Sequence, residues 1–238
     1  MSFPNTRWKT PFVVALLAGL GIAGWQLLYA AEAPVVIPFP AVDNPKSAHA
    51  PQTAVLAGGC FWGVQGVFEH VRGVHKVVSG YAGGDSKGAN YRAVSSGSTG
   101  HAESVQITFD PAEVSYGQLL QIFFSVVHDP TQLNRQGPDS GTQYRSAIFY
   151  ADESQKKVAQ AYIAQLDASK AFPAAIVTRV DSLKGFFPAE EYHQDFLIRN
   201  PRHPYIVFND LPKVENFKRV FPGIYREQAV MVGSAETK

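Results

Sequence analysis

The chain has 238 residues, of which 45% are hydrophobic and 17% charged, and 21 Lys and Arg stand against 20 Asp and Glu. That apolar fraction excludes a disordered chain, and the near-neutral balance leaves no basic footprint for nucleic acid. A single cysteine rules out an internal disulfide and a cysteine-rich zinc site, so Cys60 is either inert filling or chemistry.

Arg7 and Lys9 are the only charged side chains before Glu32, and the stretch Thr10 to Ala31 is uncharged. As a helix it reaches roughly 33 Å, enough to span a bilayer core. Basic residues in front of it keep the amino end inside, so the remainder is expected to be exported. Residues 1–31 therefore read as a signal peptide or a retained membrane anchor, with the domain periplasmic or tethered to the inner membrane and facing the periplasm. Residues 32–52 carry Pro34, Pro38, Pro40, Pro45 and Pro51 and read as an extended, semi-rigid linker. With no second linker in sight, residues 53–228 form one domain, and 229–238 read as a flexible tail. Nothing signals an oligomer, so a monomer is expected.

Within the domain, Thr53 to Ala57 is a short apolar strand ending in Gly58-Gly59. A helix follows, with Val64, Val67, Phe68 and Val71 at helical spacing, and Val74 to Ser79 is a second strand. Gly80 to Gly100 is a long Gly/Ser-rich loop, a length that is usually functional. Val105, Ile107 and Phe109 alternate with polar residues as a half-buried strand. Tyr116, Leu119, Leu120, Phe123 and Val127 mark one face of a helix. A strand over Arg145 to Tyr150 precedes a helix that begins with the capping signal Asp152 and Gln155 and runs to about Lys170. A further strand is expected over Ile176 to Val180, and a short helix near Ala189 to Ile198. Strands mixed with helices, without regular βαβ alternation, indicate an α+β fold: a mixed or antiparallel sheet with helices packed against it.

Gly59-Cys60-Phe61-Trp62-Gly63 stands where the first strand hands over to a helix. Unpaired N–H groups and the helix dipole at such a point stabilise an anion, and a thiol's pKa is expected to fall there. Phe61 and Trp62 are expected to line an apolar pocket beside the sulfur. A second reading makes Cys60 a small buried hydrophobe and the two aromatics core. Glu103 before its strand and His128 after its helix are, taken singly, ordinary polar residues. Metal-binding and phosphate-loop motifs are missing, as is a nucleophile elbow.

Together these words form a signature: Gly59 to Gly63, Gly80-Tyr81-Ala82-Gly83-Gly84, Tyr91-Arg92-Ala93-Val94, Gly100-His101-Ala102-Glu103, His128-Asp129-Pro130-Thr131, Asn134-Arg135-Gln136-Gly137, Gly141 to Ser146 and Ala189 to Asp195. In this order they closely resemble the peptide methionine sulfoxide reductases of type A, from about Val55 to Arg202. The resemblance implies an α+β two-layer sandwich with a ferredoxin-like core. It also implies reduction of the S-epimer of methionine sulfoxide, free or in proteins. Cys60 matches the nucleophile that becomes a sulfenic acid, Glu103 the proton donor, and Phe61 and Trp62 the pair that holds the substrate's S-methyl group. Tyr91 and Tyr144 match the two hydrogen-bonding tyrosines, and Asp139 a carboxylate that organises the pocket. For such a role Glu103 must be buried enough to keep a proton at neutral pH.

The chain departs from the common pattern in lacking the further cysteines toward the C-terminus with which many members resolve the sulfenic acid. No tightly bound cofactor is implied. The reductant is expected to be external: a thioredoxin-like or glutaredoxin-like protein, or a small thiol. Two other readings are a cysteine hydrolase using His101, His128 or His193 as base, and a membrane-tethered module that binds oxidised methionine without turning it over.

Overall fold

A computed structural model describes residues 33–44 and 50–232 of the chain, and the expected signal or anchor segment lies outside the described residues. The first strand, β1 (Gln52–Gly58), is apolar from Ala54 onward and buried along those five residues, as befits a central strand. It passes through Gly59 and Cys60 into α1 (Phe61–Glu69), followed by β2 (Val74–Ala82), the single turn α2 (Tyr91–Val94) and β3 (Ala102–Phe109). Then come α3 (Tyr116–Ile122), the ribbon β4 (Arg135–Gln136) with β5 (Asp139–Ser140), β6 (Ser146–Tyr150) and α4 (Glu153–Ala168). The remainder holds β7 (Arg179–Ser182), β8 (Phe186–Pro188), α5 (Phe196–Arg199) and α6 (Leu211–Val220).

Among the described residues, six strands form one sheet in the order β7-β6-β1-β3-β2-β8. Only the β6–β7 pair is parallel, so the sheet is mixed. Its four central strands follow the order of a βαββαβ unit, in which β3 returns between β1 and β2. Alternation along the strands divides the side chains between two faces. Leu56, Val105, Ile107 and Ile148 join Phe61, Phe68, Leu119, Tyr162 and Phe217 from the helices in the main core. Ala57, Ala82, Ala102 and Ala147 lie on the other face, in a small cluster with Val55 and Phe149. The fold is thus α+β, with a mixed sheet and its helices gathered on one side.

Capping follows the local chemistry. Ser115 accepts from the Gln118 amide at 3.1 Å to start α3, and Asp152 from the Gln155 amide at 2.8 Å to start α4. The strand expected over Ile176 to Val180 begins only at Arg179. The Ile176 amide is taken by Asp167 Oδ1 and that of Val177 by the Pro130 carbonyl, so neither enters the sheet. The helix expected over Ala189 to Ile198 is broken in two. Asp195 adopts a left-handed φ of 54°, and its amide donates to the side chain of Gln65 rather than to a helical carbonyl. Helix α6 was not anticipated, because Val214 and Phe217 are its only fully buried side chains in a charged stretch.

The proline-rich segment also differs from expectation. Residues 33–44 form neither helix nor strand, and they are strapped onto α3 and α4 rather than held away from the domain. Ile37 is buried, Tyr162 donates to the Pro38 carbonyl at 2.7 Å, and Gln121 donates to the Ile37 carbonyl at 2.9 Å. Polar side chains on the two helices thereby satisfy a backbone that has no strand partner. The start of the expected tail is likewise held: the Val230 amide donates to the Glu69 carbonyl and that of Val232 to Asp195 Oδ1.

Candidate active site

Gly59 has φ +95°, and a Cβ there would come within 2.6 Å of Gln136 Cβ, so glycine alone permits this turn. The turn places Cys60 at the N-cap of α1, buried, with no side-chain cap below it. A helix start leaves orphan N–H groups. Here the Phe61 amide donates to Glu103 Oε2 at 3.1 Å, and the nearby Trp62 amide favours the charged form of the Cys60 sulfur. The helix is therefore capped by a carboxyl group brought from another element. Glu103 arrives because it sits second in β3, opposite Tyr81 of β2, on the face turned toward α1.

Burial decides the protonation of both groups. Glu103 is 2% exposed, and loss of water pushes its pKa up to about 8, helped by Asp139 and Asp210, against the lowering effect of the Phe61 amide. The Cys60 thiol is also pushed well above its ordinary value, first by burial and then by the charges of Glu103, Asp210 and Asp139. The Trp62 amide acts the other way and is outweighed. This corrects the expectation that the helix terminus would lower the thiol: dipole stabilisation is modest, whereas desolvation and three nearby carboxyls act together.

Aromatic rings wall the site. The Phe61 ring lies 5.1 Å from His193 and 5.9 Å from Tyr81 between centroids. Trp62 stacks on Phe196 at 3.8 Å and meets Tyr205 edge-on at 5.8 Å. Its indole N–H donates to His193 Nδ1 at 3.1 Å, which requires that nitrogen to be unprotonated, and burial lowers the His193 pKa. Tyr91 is placed by α2, where Asn90 caps the turn and Glu190 accepts the Tyr91 amide at 3.0 Å. Burial and then the charge of Glu103 raise the phenols of both Tyr91 and Tyr144, which brings these two residues into the same electrostatic cluster. Asp139 accepts a hydrogen bond from the Tyr205 hydroxyl, and its pKa is raised by burial.

All seven residues expected from the sequence thus converge. His193, Tyr205, Asp210 and Lys213 also belong to the site and were not among them. All four come from the irregular last third, where periodicity carries little signal. His193 stands inside the Ala189 to Asp195 stretch of the signature, and the sequence offers it only as a hydrolase base. The hydrolase reading loses ground here, since the charged groups acting on Cys60 are carboxylates, with no histidine among them in the described residues. His128 is buried, with Nδ1 on the Phe123 carbonyl and Nε2 on Ser146 Oγ, and its pKa falls to about 3 through burial. It is a satisfied neutral group. The site thus offers a neutral thiol, a carboxylic acid that keeps its proton at neutral pH, and phenols beside them, all within an aromatic pocket.

Residues 52–223 match the family model described as peptide methionine sulfoxide reductase. The chain belongs to the peptide methionine sulfoxide reductase family. It is 63% identical over 190 residues to a peptide methionine sulfoxide reductase, MsrA 2, of Mesorhizobium japonicum, covering 80% of this chain and 97% of that one. A reductase of the same name from Synechocystis is 57% identical over 197 residues, covering 82% of this chain and 92% of that one. Among solved structures, methionine sulfoxide reductase A of Corynebacterium diphtheriae aligns with a TM-score of 0.56 at 31% identity, over 74% of this chain and 89% of that one. Reduced Mxr1 of Saccharomyces cerevisiae aligns at 0.58 and 31% identity, over 67% and 91%. Membership makes this reductase an oxidoreductase acting on methionine sulfoxide.

Proposed function

We propose that this reductase takes the S-epimer of methionine sulfoxide, in proteins or free, and repairs it through a sulfenic acid on Cys60 with Glu103 as proton donor. The observation that carries this reading is that the buried Glu103 caps the turn that begins at Cys60, where burial raises its carboxyl to about 8. A sulfoxide sulfur is electrophilic, but its oxygen leaves poorly. Glu103 protonates that oxygen while the Cys60 sulfur bonds to the substrate sulfur, and the thiol's proton restores Glu103. The hydroxyl then passes from the substrate sulfur to Cys60 as the substrate S–O bond and the new S–S bond both break, so Cys60 ends as S–OH and the substrate leaves as the thioether. Two electrons pass from the cysteine sulfur to the substrate sulfur. Phe61 and Trp62 hold the S-methyl group, while Tyr91 and Tyr144 donate to the oxygen as charge develops. Asp139, fixed by Tyr205, orders the polar side of the pocket.

The sulfenic acid is the reversible first stage of thiol oxidation. With no second cysteine in the chain, an external thiol condenses with it, releasing water, and a second thiol frees Cys60. That reductant is a thioredoxin-like or glutaredoxin-like protein, or a small thiol. We place the enzyme in the exported compartment, periplasmic or held at the inner membrane by residues 1–31, which N-terminal sequencing of membrane and soluble fractions tests.

The deciding experiment is turnover of methionine S-sulfoxide with dithiothreitol, beside Cys60→Ser. Wild type should convert an equimolar mixture of epimers to one half and stop, and Cys60→Ser should be inert. Mass spectrometry after one turnover without reductant should find one added oxygen on Cys60. Full conversion of both epimers, or activity in Cys60→Ser, would overturn the reading.

A further inference from the structure

Asp210 is completely buried, and its carboxylate lies against the first turn of α1. A Cβ at Gly63 would collide with Asp210 Oδ1, so the two segments approach this closely only because residue 63 is glycine. Asp210 stands at the N-cap of α6, yet its side chain caps nothing. No backbone amide donates to either of its carboxylate oxygens among the described residues. Its contact of opposite charge is Lys213 Nζ, 3.4 Å from Oδ1, on a side chain 12% exposed. A buried carboxylate held only by one long ammonium contact is a costly arrangement that capping and packing do not explain.

We propose that Asp210 and Lys213 act as a positioning pair of opposite sign that sets the ionisation of the Cys60 thiol, the carboxylate holding the proton on sulfur and the ammonium limiting that hold. The charged and titratable groups facing Cys60 are Glu103 of β3, Asp139 of β5, Tyr91, Tyr144 and Tyr205, with Asp210. Those facing Asp210 are Lys213 and Asp139 together with Cys60, Glu103 and Tyr205. Asp210 packs against Gly63 in the first turn of α1, three residues after Cys60, while Glu103 accepts the Phe61 amide of the same turn, so two carboxyls of different roles act on the sulfur. Burial raises Asp210 itself to about 6, with Lys213 opposing, so it is largely ionised at neutral pH while Glu103 is not. Given that Cys60 is the nucleophile, the consequence is protective. A thiol kept protonated is a poor target for stray oxidants, and this chain has no other cysteine to shield it.

The test is alkylation of the full chain by iodoacetamide across the alkaline range, without sulfoxide. Cys60 is the only thiol, so the rate reads its ionisation directly. Asp210→Asn should move the midpoint down by about one pH unit, tenfold more thiolate at a given pH. Lys213→Met should move it up. Opposite shifts are not the signature of a loosened fold, which would expose the thiol in both variants alike. Shifts of the same sign, or an unmoved midpoint in Lys213→Met, would overturn the proposal. Should Asp210→Asn fail to fold, Lys213→Met alone decides. Because no turnover is read, failure of the sulfoxide chemistry would leave this result standing.

Discussion

Helix α1 serves two buried polar regions that are handled in opposite ways. One turn below Cys60, Gln65 donates to the Val77 carbonyl and accepts from Ser79 Oγ and the Asp195 amide. Gln194 accepts the Ser79 amide and donates to the carbonyls of Ser79 and Ala189. Both amide side chains use donors and acceptors alike, so this knot ties α1, β2 and the turn before α5 with its polar groups satisfied. At the top of the same helix, Glu103 receives one amide N–H, Asp210 receives none, and the thiol sits among carboxyls. Compensated burial holds the fold together; uncompensated burial leaves groups with displaced pKa values, and those can do chemistry.

The largest expected effect breaks the uncompensated side. Glu103→Gln should slow sulfoxide reduction by roughly 10²–10⁴-fold while substrate binding persists, as measured by single-turnover kinetics. The sign of the pH dependence follows from the raised pKa of about 8. The acid is competent below that value, so wild-type reduction should decline as pH rises through about 8. For stability, a raised carboxyl binds a proton in the folded state that the unfolded chain has already lost. Its contribution is therefore most favourable below the ordinary glutamate range near ~4 and is lost progressively as pH rises to about 8. Glu103→Gln should accordingly be more stable than wild type at pH 8, by on the order of 2 kcal/mol in denaturant titration. A variant both inactive and destabilised would break the contrast between the two regions.

The compensated side should respond the other way. Gln194→Leu strands the Ser79 amide and the carbonyls it served, and should cost roughly 2–4 kcal/mol in urea unfolding. The folded fraction should keep a near-normal chemical rate. A smaller effect is expected of the strap. A chain lacking residues 33–44 exposes the site of Ile37 and leaves Tyr162, Gln121 and Gln165 without their carbonyl partners. The loss should be about 1–3 kcal/mol by thermal melting, and an unchanged melting temperature would restore the view of this segment as a passive spacer.

Motif residues in the first two thirds are legible because each stands at a marked place in the chain: Cys60 where a strand meets a helix, Glu103 at the head of an alternating strand, Asp139 and Tyr144 in one conspicuous polar connector. The last third was poorly legible for a physical reason. Its backbone is organised by side chains far away in sequence, as when Gln65 captures the Asp195 amide and breaks the expected helix. Tyr205, Asp210 and Lys213 come from such a segment, where two short helical turns precede α6 and little apolar periodicity announces any of them.

The sequence by itself determined the class of fold and the family, and it singled out Cys60 as the proposed nucleophile, since patterning and short motifs are local properties. It also determined that Cys60 has no internal partner, because a count needs no geometry. Protonation was decided only in three dimensions. Read locally, a cysteine at a helix N-terminus is an acidic thiol. The folded chain buries it against Glu103, Asp139 and Asp210, drawn from three other places in the chain, and desolvation together with like charge outweighs the helix dipole.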